Sequence, residues 1–164
     1  MTVRATHGGF TLLEVLVVVA IGAILAAMVV LRLGQWGSPD DPAAQLERFG
    51  ALLESQCQQA VFQARPRGLR VTDHGYDFWQ ATSSGWVALR GDGLDRPRAW
   101  SGAVAPGLLL DGHEARLSAA IEAPQIICQP LGELTLFELT LVQDQQRWRV
   151  NGRGDGRLVY HWPR

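Results

Sequence analysis

Residues 8–31, GGFTLLEVLVVVAIGAILAAMVVL, contain one long apolar run that starts at Phe10. The run covers 22 residues to Leu31, and besides Gly22 only Thr11 and Glu14 are not apolar. At about 1.5 Å per residue, a helix of this length measures about 33 Å, which matches a hydrocarbon core about 30 Å thick. A helix satisfies its own backbone hydrogen bonds in lipid, so the run predicts one membrane-spanning helix despite its many valines.

One carboxylate, Glu14, lies inside this run. A charged side chain in the middle of a bilayer costs on the order of 2–3 kcal/mol, which makes Glu14 a candidate functional residue. Cleavage between Gly9 and Phe10 would create an α-amino group on Phe10 that is positively charged near neutral pH. Because Glu14 follows Phe10 by four residues, about one helical turn, the sequence predicts that cleavage supplies a cation for this carboxylate.

An ordinary secretory signal peptide is the alternative interpretation of the amino terminus. The apolar run is longer than the 7–15 residues of signal-peptide cores, and no small-x-small cleavage site follows it before Pro42. A carboxylate in the core also has no use in a signal peptide. These features favour a segment that stays attached to the chain.

The sequence Gly8-Gly9-Phe10-Thr11-Leu12-Leu13-Glu14, followed by the apolar run, resembles the class III signal of type IV pilins and type II secretion pseudopilins. The resemblance implies that prepilin peptidase removes leader residues 1–9, cutting between Gly9 and Phe10, and methylates the new amine of Phe10. It also implies that Glu14 pairs with the Phe10 amine of a neighbouring subunit in a filament. The chain would then cross the inner membrane once through residues 10–33, with its amino terminus cytoplasmic.

Residues 34–164 are predicted to form one periplasmic globular domain, which opens with an amphipathic helix over about 42–65. Gly34, Gly37 and Pro39 interrupt the first helix, and Asp41-Pro42 is typical of an N-cap followed by Pro at the first helical position. Pro66 and Gly68 are expected to end the second helix. Its docking face is predicted from apolar residues spaced by three and four: Leu46, Phe49, Leu52, Leu53, Cys57, Ala60, Val61 and Ala64.

Beyond Gly68 the apolar period changes toward two, which predicts short strands. Asp73-His74-Gly75 is predicted to turn a hairpin, and a helix followed by many antiparallel strands is typical of an α+β fold. The predicted strands are Leu69–Val71, Tyr76–Phe78, Trp86–Leu89, Leu108–Leu110, Ala115–Leu117, Gln125–Cys128, Leu134–Val142, Arg147–Val150 and Leu158–Trp162.

The globular part narrows the resemblance to the protein H (GspH/FimT) family of type II secretion minor pseudopilins. The similar segments are Gly68-Leu69-Arg70-Val71, Tyr76-Asp77-Phe78-Trp79 and Gly132-Glu133-Leu134-Thr135-Leu136-Phe137-Glu138-Leu139. The resemblance implies a type IV pilin-like fold, with a long transmembrane helix and an amphipathic helix packed on antiparallel sheets. It also implies a structural subunit that joins tip-side minor pseudopilins to the major one. The implied partners are prepilin peptidase, the major and other minor pseudopilins, the inner-membrane assembly platform and the lipid bilayer.

Other function classes are disfavoured by composition and motifs. The formal net charge of −1, with 19% charged residues, provides no field that would hold a nucleic acid. The sequence contains no nucleophile elbow, zinc-protease helix or phosphate loop, so neither a catalytic residue nor a cofactor or metal is predicted. Asp92 and Asp95 are interpreted as a solvated turn rather than calcium ligands. A minor pilin of a type IV pilus is the main alternative, and a membrane-anchored periplasmic enzyme is a weaker one.

The two cysteines leave a structural question open. Cys57 lies on the predicted docking face of the helix, and Cys128 lies in an apolar strand segment. An oxidising periplasm permits a disulfide between them. The alternative is two small buried apolar side chains without a bond, because the sequence does not supply the Cα separation that a disulfide requires.

Overall fold

The chain divides into two compact units, with the boundary between Gly37 and Ser38. The structure, a computed structural model, describes residues 12–33 and 38–163. The first unit contains one α-helix, α1, over Leu12–Leu33. The second unit, called the head below, contains all the other elements.

The head is an α+β domain, as the sequence predicts. It begins with one helix, α2 (Pro42–Gln63), and a 3₁₀ turn spans Gly93–Asp95. Its strands are β1 (Arg67–Thr72), β2 (Gly75–Thr82), β3 (Gly85–Leu89), β4 (Arg98–Ala99), β5 (Ala105–Leu110), β6 (His113–Glu114), β7 (Ile126–Cys128), β8 (Phe137–Gln143), β9 (Gln146–Gly152) and β10 (Leu158–His161).

These strands form two antiparallel sheets. The first has the order β3-β2-β1-β7, with β4 also paired to β2, and the second has the order β10-β9-β8-β5-β6. The predicted hairpin at Asp73-His74-Gly75 is present, since Val71 pairs with Tyr76 and Leu69 with Phe78. The alternation in β8 is also present, because Phe137, Leu139 and Leu141 are buried between more exposed neighbours.

Helix α2 begins at the predicted cap. Asp41 has extended backbone angles, and its Oδ1 accepts a hydrogen bond from the Ala43 N–H at 3.0 Å, with Pro42 at the first helical position. The helix packs against both sheets through Phe49, which is fully buried. The Phe49 ring lies 5.1 Å from the ring of Tyr76 in the first sheet and 6.1 Å from that of Phe137 in the second.

The carboxyl end of α2 differs from the prediction. Val61 and Ala64 are exposed, so the docking face is shorter than the apolar spacing suggests. The helix ends with Ala64 in the left-handed region (φ 50°), whereas Gly68 is a buried residue of β1. The glycine at position 68 serves packing instead, since a Cβ there would lie 2.6 Å from Pro124 Cβ and 2.8 Å from the Ile126 carbonyl oxygen.

We expect Gly68→Ala to lower the free energy of unfolding of the head by about 1–3 kcal/mol. The added methyl group has to displace Pro124 and the backbone of β7, and overpacking of this kind costs about that much. Gly107→Ala is the matched control, because Gly107 also lies in a strand but a Cβ there meets no atom within 4 Å. Denaturant titration of the full-length chain in detergent, followed by tryptophan fluorescence, measures both variants. Equal stability of the two would contradict the packing role.

Two predicted strands are wrong in extent. Residues 115–117 form no strand, because the segment that follows them binds side chains instead of a neighbouring strand: Arg70 donates hydrogen bonds to the carbonyls of Ala119 (2.9 Å) and Ile121 (2.7 Å). Strand β8 starts at Phe137 rather than Leu134. Leu134 forms a bridge to Cys128 of the first sheet, so the chain crosses between the sheets before β8 begins.

Candidate assembly site

Between Leu12 and Ile24, helix α1 presents apolar side chains to its surroundings, with Glu14 as the exception. Every side chain from Leu12 to Ile24 is exposed, with Leu12 at 84% and Leu13 at 73%. Exposure of this much contiguous apolar surface marks a segment that is covered by lipid or by other helices in the working protein. One side of the helix, with residues spaced by three and four, consists of Leu12, Val15, Leu16, Val19, Ala20 and Ala23.

Glu14 lies in the first turn of α1, where the helix dipole favours a carboxylate. At about 100° per residue, Glu14 is about 200° from Leu12, on the side opposite the apolar face just described. A neighbouring helix that packs on this apolar face therefore leaves Glu14 accessible to a second neighbour. The predicted cleavage pair, Gly9 and Phe10, lies outside the described residues.

The prediction that the amino-terminal helix crosses a bilayer stays a prediction. Within the described ranges, 12–33 and 38–163, no helix meets the combined length and hydropathy of a membrane span.

Cys57 and Cys128 form a disulfide bond with a Cα–Cα distance of 5.0 Å, well inside the range that disulfide geometry allows. Cys57 is on α2 and Cys128 ends β7, where it is 1% exposed. The bond therefore links the helix to the edge of the first sheet, across 71 residues of sequence.

A buried polar cluster at the interface of α2 and the first sheet was missed by the sequence analysis. Arg67 is only 5% exposed, and its Nη1 donates to Gln56 Oε1 at 2.7 Å, while Nη2 donates to Gln63 Oε1 at 3.3 Å. Asp95 accepts from Gln56 Nε2 at 2.8 Å and forms an ion pair with Arg67 at 3.3 Å. The cluster holds the 3₁₀ turn against α2.

Asp95 is therefore not the solvated turn residue that its sequence context suggests. The Asp95 carboxylate is directed to the buried guanidinium of Arg67. This ion pair compensates the free-energy cost of burying the positive charge of Arg67. Gln45 and Gln56 are both buried, and they lie eleven residues, or three helical turns, apart on the same side of α2. This spacing is the one sequence feature that indicates buried polar side chains on the helix. In the described part of the chain, no three His, Cys, Asp or Glu side chains are grouped to hold a metal ion.

Replacement of Asp95 by alanine is expected to lower the free energy of unfolding by about 2–3 kcal/mol, because it leaves the Arg67 charge buried with no carboxylate partner. Asp92→Ala is the matched control: Asp92 is exposed, lies in the same loop and caps no backbone group with its side chain. We expect that variant to stay within about 0.5 kcal/mol of the parent chain. Thermal unfolding of full-length protein in detergent distinguishes the two variants. An equally small effect of Asp95→Ala would show that the cluster does not stabilise the head.

Burial raises the pKa of two tyrosines of the head. Burial raises the pKa of Tyr76 to about 12, an effect that nearby Arg98 and Arg48 partly oppose. Burial also raises the pKa of the Tyr160 hydroxyl, with further increases from Glu54 and Glu47 on α2. Both rings pack against other aromatic rings, Tyr76 against Phe49 and Tyr160 against Trp162.

Comparison with solved structures identifies the head fold. The crystal structure of the minor pseudopilin EpsH from the type II secretion system of Vibrio cholerae matches with a TM-score of 0.61 at 20% identity, over 72% of this chain and 93% of that one. The solution structure of E. coli GspH matches with a TM-score of 0.60 at 19% identity, over 73% and 87%. The expected α+β, pilin-like fold is thereby confirmed.

Comparison with known sequences extends over the amino-terminal segment as well as most of the chain. Residues 4–30 match the prokaryotic N-terminal methylation motif. Type II secretion system protein H of Pseudomonas aeruginosa is 27% identical over 148 residues, which is 85% of this chain and 85% of that protein. The corresponding protein of Aeromonas hydrophila is 32% identical over 155 residues, 87% of this chain and 85% of the relative. The chain therefore belongs to the type II secretion system protein H family.

Proposed function

We propose that this chain is a minor pseudopilin, a structural subunit of the short periplasmic filament of a type II protein secretion system. The observation that carries the proposal is Glu14, a carboxylate in the first turn of a helix whose other side chains from Leu12 to Ile24 are apolar and exposed, four residues after Phe10. Family membership and the match of residues 4–30 to the methylation motif support it.

Processing by prepilin peptidase is the first step of the proposed function. The enzyme cuts after Gly9 and methylates the amine of Phe10, so that the mature chain begins with a cation. In the bilayer, this amine lies within about one turn of Glu14 and reduces the cost of burying the carboxylate. During assembly, Glu14 exchanges this partner for the Phe10 amine of a neighbouring subunit, which sets the axial register of the helices.

The two sides of α1 support a bundle in which each helix contacts several others. The face formed by Leu12, Leu16 and Val19 packs against one neighbour, while Glu14 on the opposite side reaches another. Apolar helices gain little from leaving lipid by burial alone, because lipid tails are equally apolar. Packing alone specifies the axial register of such helices poorly. A charge pair between neighbouring helices favours assembly over separation and fixes that register.

The head is placed in the periplasm by this proposal. Its disulfide between Cys57 and Cys128 supports an oxidising compartment. The chain contributes no catalysis: a motor elsewhere consumes the energy, and this subunit contributes a helix for the bundle and a folded head that contacts neighbours and the assembly platform. The name shared by the curated relatives favours a secretion filament over a type IV pilus.

Mass spectrometry of the mature amino terminus tests the proposal. Full-length protein is purified from its host and from a matched strain without prepilin peptidase. We expect the host to yield a chain that begins with N-methylated Phe10, and the second strain to yield residues 1–9 still attached. A functional chain in the host that retains residues 1–9 would overturn the proposal.

A further inference from the structure

Strand β3 forms an open edge of the first sheet. It pairs with β2 on one side only, and its sequence, Gly85-Trp86-Val87-Ala88-Leu89, contains neither a charged residue nor proline. Natural proteins usually protect such edges with charges, prolines or very short strands, because the unpaired backbone groups are a template for another strand. An apolar edge of five residues without such protection is therefore a candidate interaction surface.

Two of the other three edges of the two sheets are protected. Strand β7 is three residues long, and beyond it the side-chain amide of Gln125 bonds the backbone N–H and C=O of Val71 in place of a strand. Strand β6 has two residues, one of them Glu114. Strand β10, with four residues and neither a carboxylate, a lysine, an arginine nor a proline, lacks such protection as well. Within the described part of the chain, β3 is the longer of the two unprotected edges.

The pairing register shows which backbone groups of β3 point outward. The Ala81 N–H bonds the Pro66 carbonyl, on the β1 side of β2, so the groups of Gln80 point to β3. Gln80 pairs with Val87, and therefore Val87 points toward β2. The N–H and C=O groups of the alternate residues, Trp86 and Ala88, point away from the sheet and are available to an added strand.

A groove of about 830 Å³ adjoins this edge on the face of the sheet away from α2. Its floor is Trp79, which is only 6% exposed and pairs directly with Ala88. The Trp79 indole donates to Asp77 Oδ1 at 2.7 Å and lies 5.0 Å beneath the Arg70 guanidinium, which itself bonds Asp77. This network fixes the floor in place, and the small side chain of Ala88 leaves room in the groove for an added side chain beside it.

The charges around the groove indicate the chemistry of an occupant. Two arginines, Arg90 and Arg96, lie on its rim together with two carboxylates, Asp92 and Glu122. None of these four forms an ion pair with another described residue. Because the four charges sum to zero, the groove does not select a strongly acidic or basic segment. Backbone pairing and apolar contact with Trp86 therefore determine which segment binds.

We propose that β3 accepts an added strand from a neighbouring filament subunit: an extended, uncharged segment with a large apolar side chain that enters the groove beside Ala88. The added backbone hydrogen-bonds Trp86 and Ala88, and the groove selects the side chain. This proposal rests on the proposed function for the identity of the partner. It differs from the helix contacts, because it assigns a separate contact to the head.

Ala88→Pro tests the proposal without breaking the sheet. Proline removes the outward N–H of Ala88, whereas the hydrogen bonds between β3 and β2 come from Gly85, Val87 and Leu89 and remain. The matched control, Ala88→Ser, keeps the N–H and a small side chain. Full-length chains in detergent are mixed with each of the other pilin-like subunits of the same secretion system, and binding is measured together with amide hydrogen exchange.

We expect one of these subunits to bind the parent chain and Ala88→Ser, and to slow exchange of the Trp86 and Ala88 amides by at least about tenfold. For Ala88→Pro we expect the dissociation constant to rise by about tenfold or more, since a lost backbone bond and the displaced strand together exceed about 1.4 kcal/mol. Intact folding of that variant is checked by its melting temperature and by its unreactive cysteines.

Three results would overturn the proposal: binding that Ala88→Pro leaves unchanged, no slowing of exchange at β3 with any of these subunits, or the same slowing in the chain alone with dimer formation. The last would assign the edge to a second copy. Failure here is distinguishable from failure of the proposed function, because cleavage at Phe10 and the requirement for Glu14 do not involve β3.

Discussion

Glu14→Ala is expected to leave cleavage after Gly9 intact while abolishing incorporation of the chain into filaments. The variant removes the partner of the Phe10 amine but preserves the apolar surface of α1 on the opposite side, so membrane insertion is expected to persist. Incorporation should fall by at least about tenfold, because tenfold corresponds to only about 1.4 kcal/mol and a charge pair in an apolar medium exceeds that. Cross-linking in membranes, followed by quantitation of filament-bound and free chain, measures the loss.

Two further substitutions separate the charge from the shape of the side chain. Glu14→Gln keeps the size and polarity of the residue and is expected to fail as alanine does, whereas Glu14→Asp keeps the charge and should retain part of the incorporation. Thr11→Ala, at the other polar position in the run, is the control and should behave as the parent chain. Normal incorporation of Glu14→Gln would exclude charge pairing as the reason for this residue.

The sequence-based predictions succeed where local physics determines the structure. The apolar run predicts helix α1, Asp41 and Pro42 locate the start of α2, and the turn at residues 73–75 locates the first hairpin. In each case the information lies within a few adjacent residues: hydropathy, a capping side chain or a turn former. The assembly residues Gly9, Phe10 and Glu14 were also predicted from their order along the chain, and their roles stay a prediction.

Features that depend on tertiary contacts were not predictable in the same way. Asp95 has the local sequence of an exposed turn, and only the fold brings it to Arg67 and Gln56. Val61 has the correct helical spacing for the docking face, yet the sheets do not extend far enough to cover it, and it is 51% exposed. The crossing between sheets after Leu134 left one local trace that was overlooked: the apolar alternation changes phase at Leu136-Phe137, where Leu136 is 50% exposed and Phe137 starts β8.

The two units of the chain depend on different stabilising interactions. Helix α1 has no buried side chain among residues 12–24, so the described part of this helix contributes nothing to a core. The head has its own core, in which Leu46, Phe49 and Leu53 of α2 are covered by both sheets. The effect of a head variant should therefore be measured first as a change in the free energy of unfolding, and that of an α1 variant as a change in filament assembly. A single assay would not distinguish a loss of stability from a loss of assembly.

Loss of the disulfide is expected to have the largest effect on head stability. A bond that closes a loop of 71 residues reduces the entropy of the unfolded chain by an amount worth about 4 kcal/mol. For a domain of this size, we expect reduction to lower the melting temperature by about 10–15 °C. Thermal unfolding of the full-length chain in detergent, with and without a thiol reductant, measures the difference while both sulfur atoms stay in the core.

The double variant Cys57→Ala with Cys128→Ala separates this effect from any other action of the reductant. It should melt at or slightly below the temperature of the reduced parent chain, because it lacks the bond and also two buried sulfur atoms, and added reductant should not change it further. The single variants should match the double variant within about 1 kcal/mol, since removal of either cysteine already breaks the link between α2 and β7. A reduced parent chain that melts within about 2 °C of the oxidised one would show that packing of α2 on the sheets, rather than the covalent bond, sets the stability of the head.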